Sequence, residues 1–466
     1  MASFGIFRVP PAFLASLVFF AGCAGSPPPG ETGNRKEPSI QLSSTTGPAH
    51  EAPYRTVRSS QKRGPASPDM AALLKRFPVN GSAPLRPIVL SALDRGAEVK
   101  AAALSLESQE ANVSAAWSGY LPVVSSRVDY DPKDTRRGVR GQVEVSQKLV
   151  DWGGTAARVA EARAARDAAA EVHRQRQDQV ALEAIAGYID IRQFQRKIAV
   201  ANDDIEALSR IAALAGERLE AGASDASERD LVRLRLDEAR SVLEQERSNL
   251  AQALAAYRNR VGLSIDEAEA LPYQADIFDG LDVEDLVAQA PSVVTRTLEA
   301  AGREEAAKAE QRALLPGVNA IATISTNRDF DDVDTTIGLR LQGPTFTGFS
   351  NFQRVEAARQ AAAASRWTAE TERNTLLRKV KSQIERVPFL DRQIRSIEKQ
   401  IANAIELRGI YERQFVSAER SITDLLSVQS NVKDLLVRRE DLMREAVNNQ
   451  YVTLSDVGLL RAAVGL

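Results

Sequence analysis

The sequence predicts a mainly α-helical chain with two pairs of alternating strands, built twice over from a unit of helix, strand, strand, long helix, long helix. Three observations predict it. Two stretches rich in Ala, Glu, Arg, Gln and Leu each continue for roughly 60 residues, long enough at ~1.5 Å per residue to run about 90 Å as single helices. Two pairs of short runs alternate apolar with polar or charged residues, as strands do. Landmarks also recur at one offset: Arg158-Val159 and Arg354-Val355 stand 196 residues apart, and so do the helix breaks at Gly222 and Ala418. A constant offset over several landmarks is the mark of an internal duplication.

The chain opens on residues that read as processing signals rather than fold. Arg8 supplies a positive start, residues 11–20 form an apolar run too short to span a bilayer, and Phe20-Ala21-Gly22-Cys23 resembles a bacterial lipobox. Residues 1–22 are thus read as a signal peptide and Cys23, the single cysteine, as the acylated first residue of the mature chain. Phe20 replaces the usual Leu of such a motif, and Ala24 leaves the next position without an inner-membrane-retaining Asp. Residues 23–85, rich in Pro, Gly, Ser and Thr, are read as a lipidated flexible tether, since they carry too little apolar surface to order themselves.

The first repeat is assigned to 86–280. Residues 88–118 read as a helix closed by Leu121-Pro122. A β-hairpin over 123–150 follows, its apolar face carrying Val124, Val128, Tyr130, Val139, Val143 and Val145 and its polar face Arg127, Asp129, Arg140, Gln142, Glu144 and Lys148. The segment 131–138 is its polar tip. In water the apolar face would pack on a core; in a membrane barrel it would meet lipid, with the charged face lining a wet lumen, and the strands alone do not decide between the two. Gly153-Gly154 end the hairpin, and a long helical hairpin over 155–262 turns at Ala221-Gly222, where glycine suits a left-handed helix end. The second repeat, 281–466, has a helix from Pro291 to Leu315, a Leu315-Pro316 break, a β-hairpin over 317–343 around an acidic turn, and a long helical hairpin over 350–450.

Composition narrows the function. Sixty Lys and Arg balance 62 Asp and Glu, so the basic footprint of a nucleic-acid binder is missing. Two distant histidines, His50 and His173, and one cysteine supply neither a zinc site nor a His-based catalytic cluster, so no catalytic or metal residue is assigned. Acidic pairs such as Asp203-Asp204 and Asp331-Asp332 read as a solvated helix face and a turn. No segment after the leader is apolar and long enough for a membrane helix, so a membrane passage would require a closed barrel.

Over nearly all of 85–466 these residues resemble the TolC family of outer-membrane efflux proteins. The resemblance is carried by Val145-Ser146-Gln147-Lys148-Leu149-Val150-Asp151-Trp152-Gly153-Gly154 at a strand-to-helix junction, by Glu217-Arg218-Leu219-Glu220-Ala221-Gly222 at one hairpin tip, by Tyr411 to Phe415 and Arg420 to Leu426 at the other, and by the two Leu-Pro breaks. It implies a homotrimer in the cell outer membrane, with a twelve-stranded β-barrel and a trimeric α-barrel reaching into the periplasm. It implies a passive exit duct that works with a periplasmic adaptor and an inner-membrane transporter, without a cofactor. It places Asp424 at an acidic constriction, Arg420 among residues that hold the entrance shut with Glu228 as partner, and Arg218, Leu219, Ala221, Gly222, Phe415, Val416, Ser417 and Ala418 at the adaptor-contacting tips. Ala418 departs from the family's tip glycine, and Ser427 from a second acidic ring.

Two other readings share the helical signal. A periplasmic adaptor has one long helical hairpin where this chain has two, and a structural coiled-coil protein lacks the duplicated alternating strands. The cargo stays open between secreted protein and small toxic compounds. The segment from Gln414 to Ser427 resembles members serving type I secretion, whereas a long lipidated N-terminus resembles the efflux branch.

Overall fold

The computed structural model describes residues 85–130, 139–222, 224–327, 333–345 and 348–466, all within the unit Ser59–Leu466. The signal peptide, Cys23 and the tether up to residue 84, the hairpin tip at 131–138 and Asp331-Asp332 lie outside the described residues. In chain order the elements are α1 (Leu85–Arg95), α2 (Ala97–Trp117), β1 (Val123–Tyr130), β2 (Val139–Val150), α3 (Gly154–Glu220), α4 (Ala226–Val261), α5 (Val283–Ala288), α6 (Pro291–Arg312), β3 (Gly317–Asn327), β4 (Val333–Gln342), α7 (Ser350–Val416), α8 (Ile422–Asp456) and α9 (Leu460–Ala463).

The duplication is explicit in these spans. The two longest helices, α3 and α7, each have 67 residues and start 196 positions apart, at Gly154 and Ser350. The helices that return from their tips, α4 and α8, also start 196 apart, at Ala226 and Ile422. Sixty-seven residues correspond to about 100 Å of helix. Neither long helix is stable by propensity alone, so both depend on lateral packing along their length.

That packing is a layer with α3 in its middle. Toward the strands the order is α2, α3, α6, α7; toward the tips it is α4, α3, α8, α7. The strands extend the same layer as a four-stranded antiparallel meander in the order β1-β2-β3-β4. Its register pairs Val124 with Val145, Val143 with Ile324 and Ala322 with Ile337, which stacks apolar residues on one face. An irregularity between Lys148 and Val150 takes up an extra residue where β2 leaves the sheet, as a bulge does. Among the described residues the outer edges of β1 and β4 pair with nothing.

The main core lies at mid-layer. Ile185, Ile191, Tyr257, Ile277, Leu286 and Tyr451 are among its most buried side chains. It joins α3 and α4 to the connection before α5 and to the end of α8. A smaller core closes the tips, with Ile211 and Ala215 of α3, Val232 of α4, Phe415 of α7 and Leu425 of α8.

Four spans differ from the sequence reading. The single helix expected over 88–118 is two helices, because the chain turns extended at Gly96 (φ −60°, ψ 103°). A Cβ there would lie 3.2 Å from the Ala92 carbonyl oxygen and 3.3 Å from Val99 Cγ2. Leu85 is fully buried in α1, so the last residue assigned to the tether belongs to that helix. Helix α6 stops at Arg312 rather than Leu315. The short helices α5 and α9, which the sequence reading did not separate, both contribute to the main core through Leu286 and Leu460. Pro388 stands inside α7 without ending it. Its missing N–H leaves a gap in the helix ladder. Neighbouring groups support that stretch: the Tyr273 hydroxyl donates to the Val387 carbonyl at 3.4 Å and the Asn449 amide to the Gln383 carbonyl at 2.9 Å.

Candidate functional site

Two regions collect the sequence-assigned residues: the helical tips, and the sheet with its junction to α3 and α7. At the first tip α3 ends at Glu220, and Gly222 takes the left-handed conformation (φ 70°) with open space around it. The chain re-enters α4 through Asp225, whose carboxylate accepts from the Ser227 and Glu228 amides at 2.9 and 3.3 Å and from the Ser227 hydroxyl. These hydrogen bonds, that from the Ser227 hydroxyl first, hold the Asp225 carboxyl below the usual aspartate range. At the second tip Ala418 takes the left-handed conformation (φ 62°) although it carries a Cβ. Ser421 caps α8 by accepting from the Asp424 amide at 3.2 Å.

Glu228 and Asp424 therefore occupy the same place, the third residue of a capped helix. An acid there favours the positive helix end whatever else it does. Arg420 reaches Asp424 at 3.8 Å, donates to the Gln414 side chain at 3.3 Å, and lies 4.7 Å over the Tyr411 ring. Within one protomer Arg420 is thus directed to Asp424, one turn along its own helix start, and not to Glu228. The Glu228 Oε2 is buried and has no hydrogen-bond partner among the described residues.

The residues assigned to adaptor contact divide. Ala221, Gly222, Val416, Ser417 and Ala418 are exposed. Arg218 and Leu219 are half-buried. Phe415 is fully buried and belongs to the tip core, where it clusters with Ile211, Ala215 and Leu425. The guanidinium of Arg218 lies 4.4 Å over that ring and donates to the Phe415 carbonyl at 3.2 Å. The sequence reading missed this pairing. The offset of 196 holds its only signal, for it sets Phe415 level with Leu219 and hence beside Arg218.

Behind the tip core a polar group is buried. Asp204 accepts from the Gln429 amide at 2.7 Å, and Gln429 in turn accepts from Arg408 at 3.0 Å. Burial pushes the Asp204 carboxyl above its ordinary range, against the opposing effect of the Gln429 hydrogen bond. These residues stand beside a groove of about 820 Å³ between α4 and α8, floored by α3. Among the described residues no group of three or more His, Cys, Asp or Glu side chains is placed to hold a metal ion.

The sheet is the second region. Every described residue of β1, and all but one of β4, is exposed on both faces. Val128, Tyr130, Ile337, Leu339 and Leu341 are each more than 70% exposed. On the opposite face Arg340 of β4 reaches across β3 to Glu144 of β2, at 2.6 and 3.0 Å. Where sheet meets helices, Trp117, Tyr120, Trp152, Phe349 and Phe352 are exposed. The junction is firmly built: Asp151 accepts from the Thr155 amide at 2.6 Å, the Trp152 indole donates to the Pro316 carbonyl at 2.8 Å, and Arg312 donates to the Gly153 carbonyl at 2.7 Å. Among the described residues no helix is long and apolar enough to cross a membrane.

The described residues thus form a sheet with an apolar face, a charged face and open edges, set on a layer of long helices. The solved structures agree in fold. The CusC channel matches with a TM-score of 0.72 at 15% identity, covering 82% of this chain and 92% of that one. The CmeC outer membrane channel of Campylobacter jejuni matches with a TM-score of 0.69 at 14% identity, covering 81% and 86%. The sequence model of the outer membrane efflux protein family matches residues 89–263. The outer membrane efflux protein BepC of Brucella suis biovar 1 (strain 1330) is 22% identical over 412 residues, 84% of this chain and 90% of its own length. Over residues 89–263 the chain is thus similar in sequence to the outer membrane efflux proteins, and over most of its length it is similar in fold to solved outer membrane channels.

Proposed function

We propose that three copies of this chain close into one duct through the outer membrane and periplasm, the exit of a tripartite export system. The open sheet carries the reading. Its apolar face and two unpaired edges have no stable place in water, and in lipid they demand closure against further strands. The helical layer is open at the same two flanks. One flank is α2, β1 and α4, with Leu104, Leu234 and Val242 exposed; the other is β4 and α7, with Phe389, Ile405 and Leu407 exposed. Joining one flank to the other flank of the next copy is a head-to-tail contact that closes as a ring. Four strands from each of three copies make a twelve-stranded barrel, with the Glu144–Arg340 face toward a wet lumen. The exposed aromatics at the junction suit the headgroup level of the bilayer.

In that assembly the tips form the entrance. Three Asp424 carboxylates around the axis attract cations and repel anions. Glu228, half-buried at the start of α4, is the partner proposed for Arg420 of a neighbouring copy, and that contact biases the entrance closed. The exposed tip residues Ala221, Gly222, Val416, Ser417 and Ala418 are the surface for the adaptor, with an inner-membrane transporter supplying the energy. Cys23, acylated, anchors the N-terminus to the membrane.

Efflux of small toxic compounds is the cargo favoured by the descriptions of the family and of BepC. Secretion of protein is the second reading, favoured by the sequence of the second tip. Deleting the gene separates them. Raised sensitivity to a panel of toxic compounds with an unchanged set of secreted proteins supports efflux. Loss of one or a few large secreted proteins with unchanged sensitivity supports secretion, and no change in either overturns the duct.

A further inference from the structure

We propose that Arg218 is a clasp between the two helical hairpins of one protomer and sets how readily the entrance opens; this rests on the gated-duct reading above. Arg218 sits in the last turn of α3, in the first hairpin. Phe415 sits in the last turn of α7, in the second, 197 residues away. The guanidinium makes two different contacts with that one residue. Its Cζ is 4.4 Å from the ring centroid, and its Nη1 donates to the backbone oxygen at 3.2 Å.

Both contacts are of kinds that strengthen away from water. Phe415 is fully buried, so the stacked face of the guanidinium meets a ring that solvent does not screen. The Phe415 carbonyl is one of the last acceptors of α7, which the helix itself leaves open. It takes the Ala418 amide at 3.1 Å and the Arg218 guanidinium, so the clasp and the turn converge on one oxygen. That turn is the one that holds Ala418 left-handed. Arg218 thus grips the second hairpin at the foot of the turn that leads to Arg420 and Asp424.

The rest of the tip core is apolar. Ile211, Ala215, Val232, Ile422 and Leu425 are buried against one another without direction, and behind them the Asp204–Gln429 hydrogen bond is another directed link between the hairpins. The clasp has direction, and a swing of the second hairpin must break it. The duplication does not repeat it: Gln414 stands where a second Arg218 would be, and Leu219 where a second Phe415 would be. Each protomer therefore has this link in one direction only, from the first hairpin to the second.

The test is the resting conductance of the purified full-length protein in planar bilayers. Arg218→Met keeps the length of the stem and removes the guanidinium; Phe415→Leu keeps the core apolar and removes the ring. Each is expected to raise the ratio of open to closed channel about tenfold, equivalent to ~1.4 kcal/mol. The double variant is expected to add little beyond either single one, and Phe415→Tyr to behave as the parent. If both single variants keep the parental conductance while Arg420→Ser opens the channel in the same bilayers, the clasp is overturned and the gated duct stands. A lowered melting temperature with unchanged conductance also overturns it, for that is the mark of a merely structural contact. If the parent forms no pore at all, the duct and the clasp fall together.

Discussion

The two long hairpins of this chain are the same object built twice, and they differ where movement would matter. Helices α3 and α7 have equal lengths, and both hairpins turn four residues before a capped return helix. Yet the first turns on Gly222, which takes φ 70° freely, and the second on Ala418, which takes φ 62° against its own Cβ. The first long helix has Arg192 where the second has Pro388. The first lends a guanidinium to the tip, and the second accepts it on Phe415. Every difference makes the second hairpin the more strained and the first the more regular. Duplication supplied two equivalent hairpins, and under the proposed gating the divergence at a handful of positions would suit one to stand and the other to move.

The largest way to break this asymmetry is to give the first hairpin the proline of the second. Arg192→Pro is expected to destabilise by about 3 kcal/mol or more, since no Tyr273 or Asn449 equivalent supports that stretch of α3; Pro388→Ala in α7 is expected to be stabilising or neutral. Thermal melts of both variants check this. Next come the turns. Ala418→Gly is expected to stabilise by about 1 kcal/mol by releasing the left-handed strain, and Gly222→Ala to destabilise by about as much, with no contact to relieve since nothing lies within 4 Å of the added carbon. Equal effects of one sign at both turns would erase the distinction.

Arg420→Ser is expected to raise resting conductance by up to about fivefold, the reach of an exposed ion pair worth no more than ~1 kcal/mol. Unchanged conductance would remove Arg420 from the gate. The smallest effect concerns Asp204, whose counterpart in the second hairpin is the exposed, neutral Gln400. The folded-state affinity of Asp204 for its proton is raised by burial. Its contribution is therefore favourable below the ordinary aspartate range and is lost as pH rises through the raised value, leaving a cost at neutral pH. Asp204→Asn keeps an acceptor for Gln429 and should stabilise at pH 7 while flattening the acid side of the stability profile. Parallel profiles for parent and variant would contradict this.

Most of the architecture was legible because it is periodic. Alternation marked the strands, a long stretch without proline marked α3, and one offset tied the halves together and so marked α7. What escaped was aperiodic. Gly96 breaks a helix that its neighbours would have continued, and a single glycine costs a helix only ~1 kcal/mol, so sequence alone does not decide it. The connection between α4 and α6 reads as a linker, yet Ile277 and Leu286 fill the main core. The short C-terminal α9 is held by Arg461 on Asp178 at 2.6 Å, a contact across 283 residues that no local pattern announces. The tip misled in the other direction. Phe415 sits between polar and exposed neighbours and reads as a surface residue, but the helix phase turns its ring inward. The acids Glu228 and Asp424 were assigned to the entrance by resemblance, while their shared place as the third residue of a capped helix became visible only with the caps.

The most direct test of the central account is particle imaging of the detergent-extracted full-length protein. The account predicts a threefold hollow particle whose barrel has twelve strands, with β1 of each copy paired to β4 of the next. A monomer that keeps β1 and β4 unpaired, or a ring closed through any other pair of flanks, would contradict it.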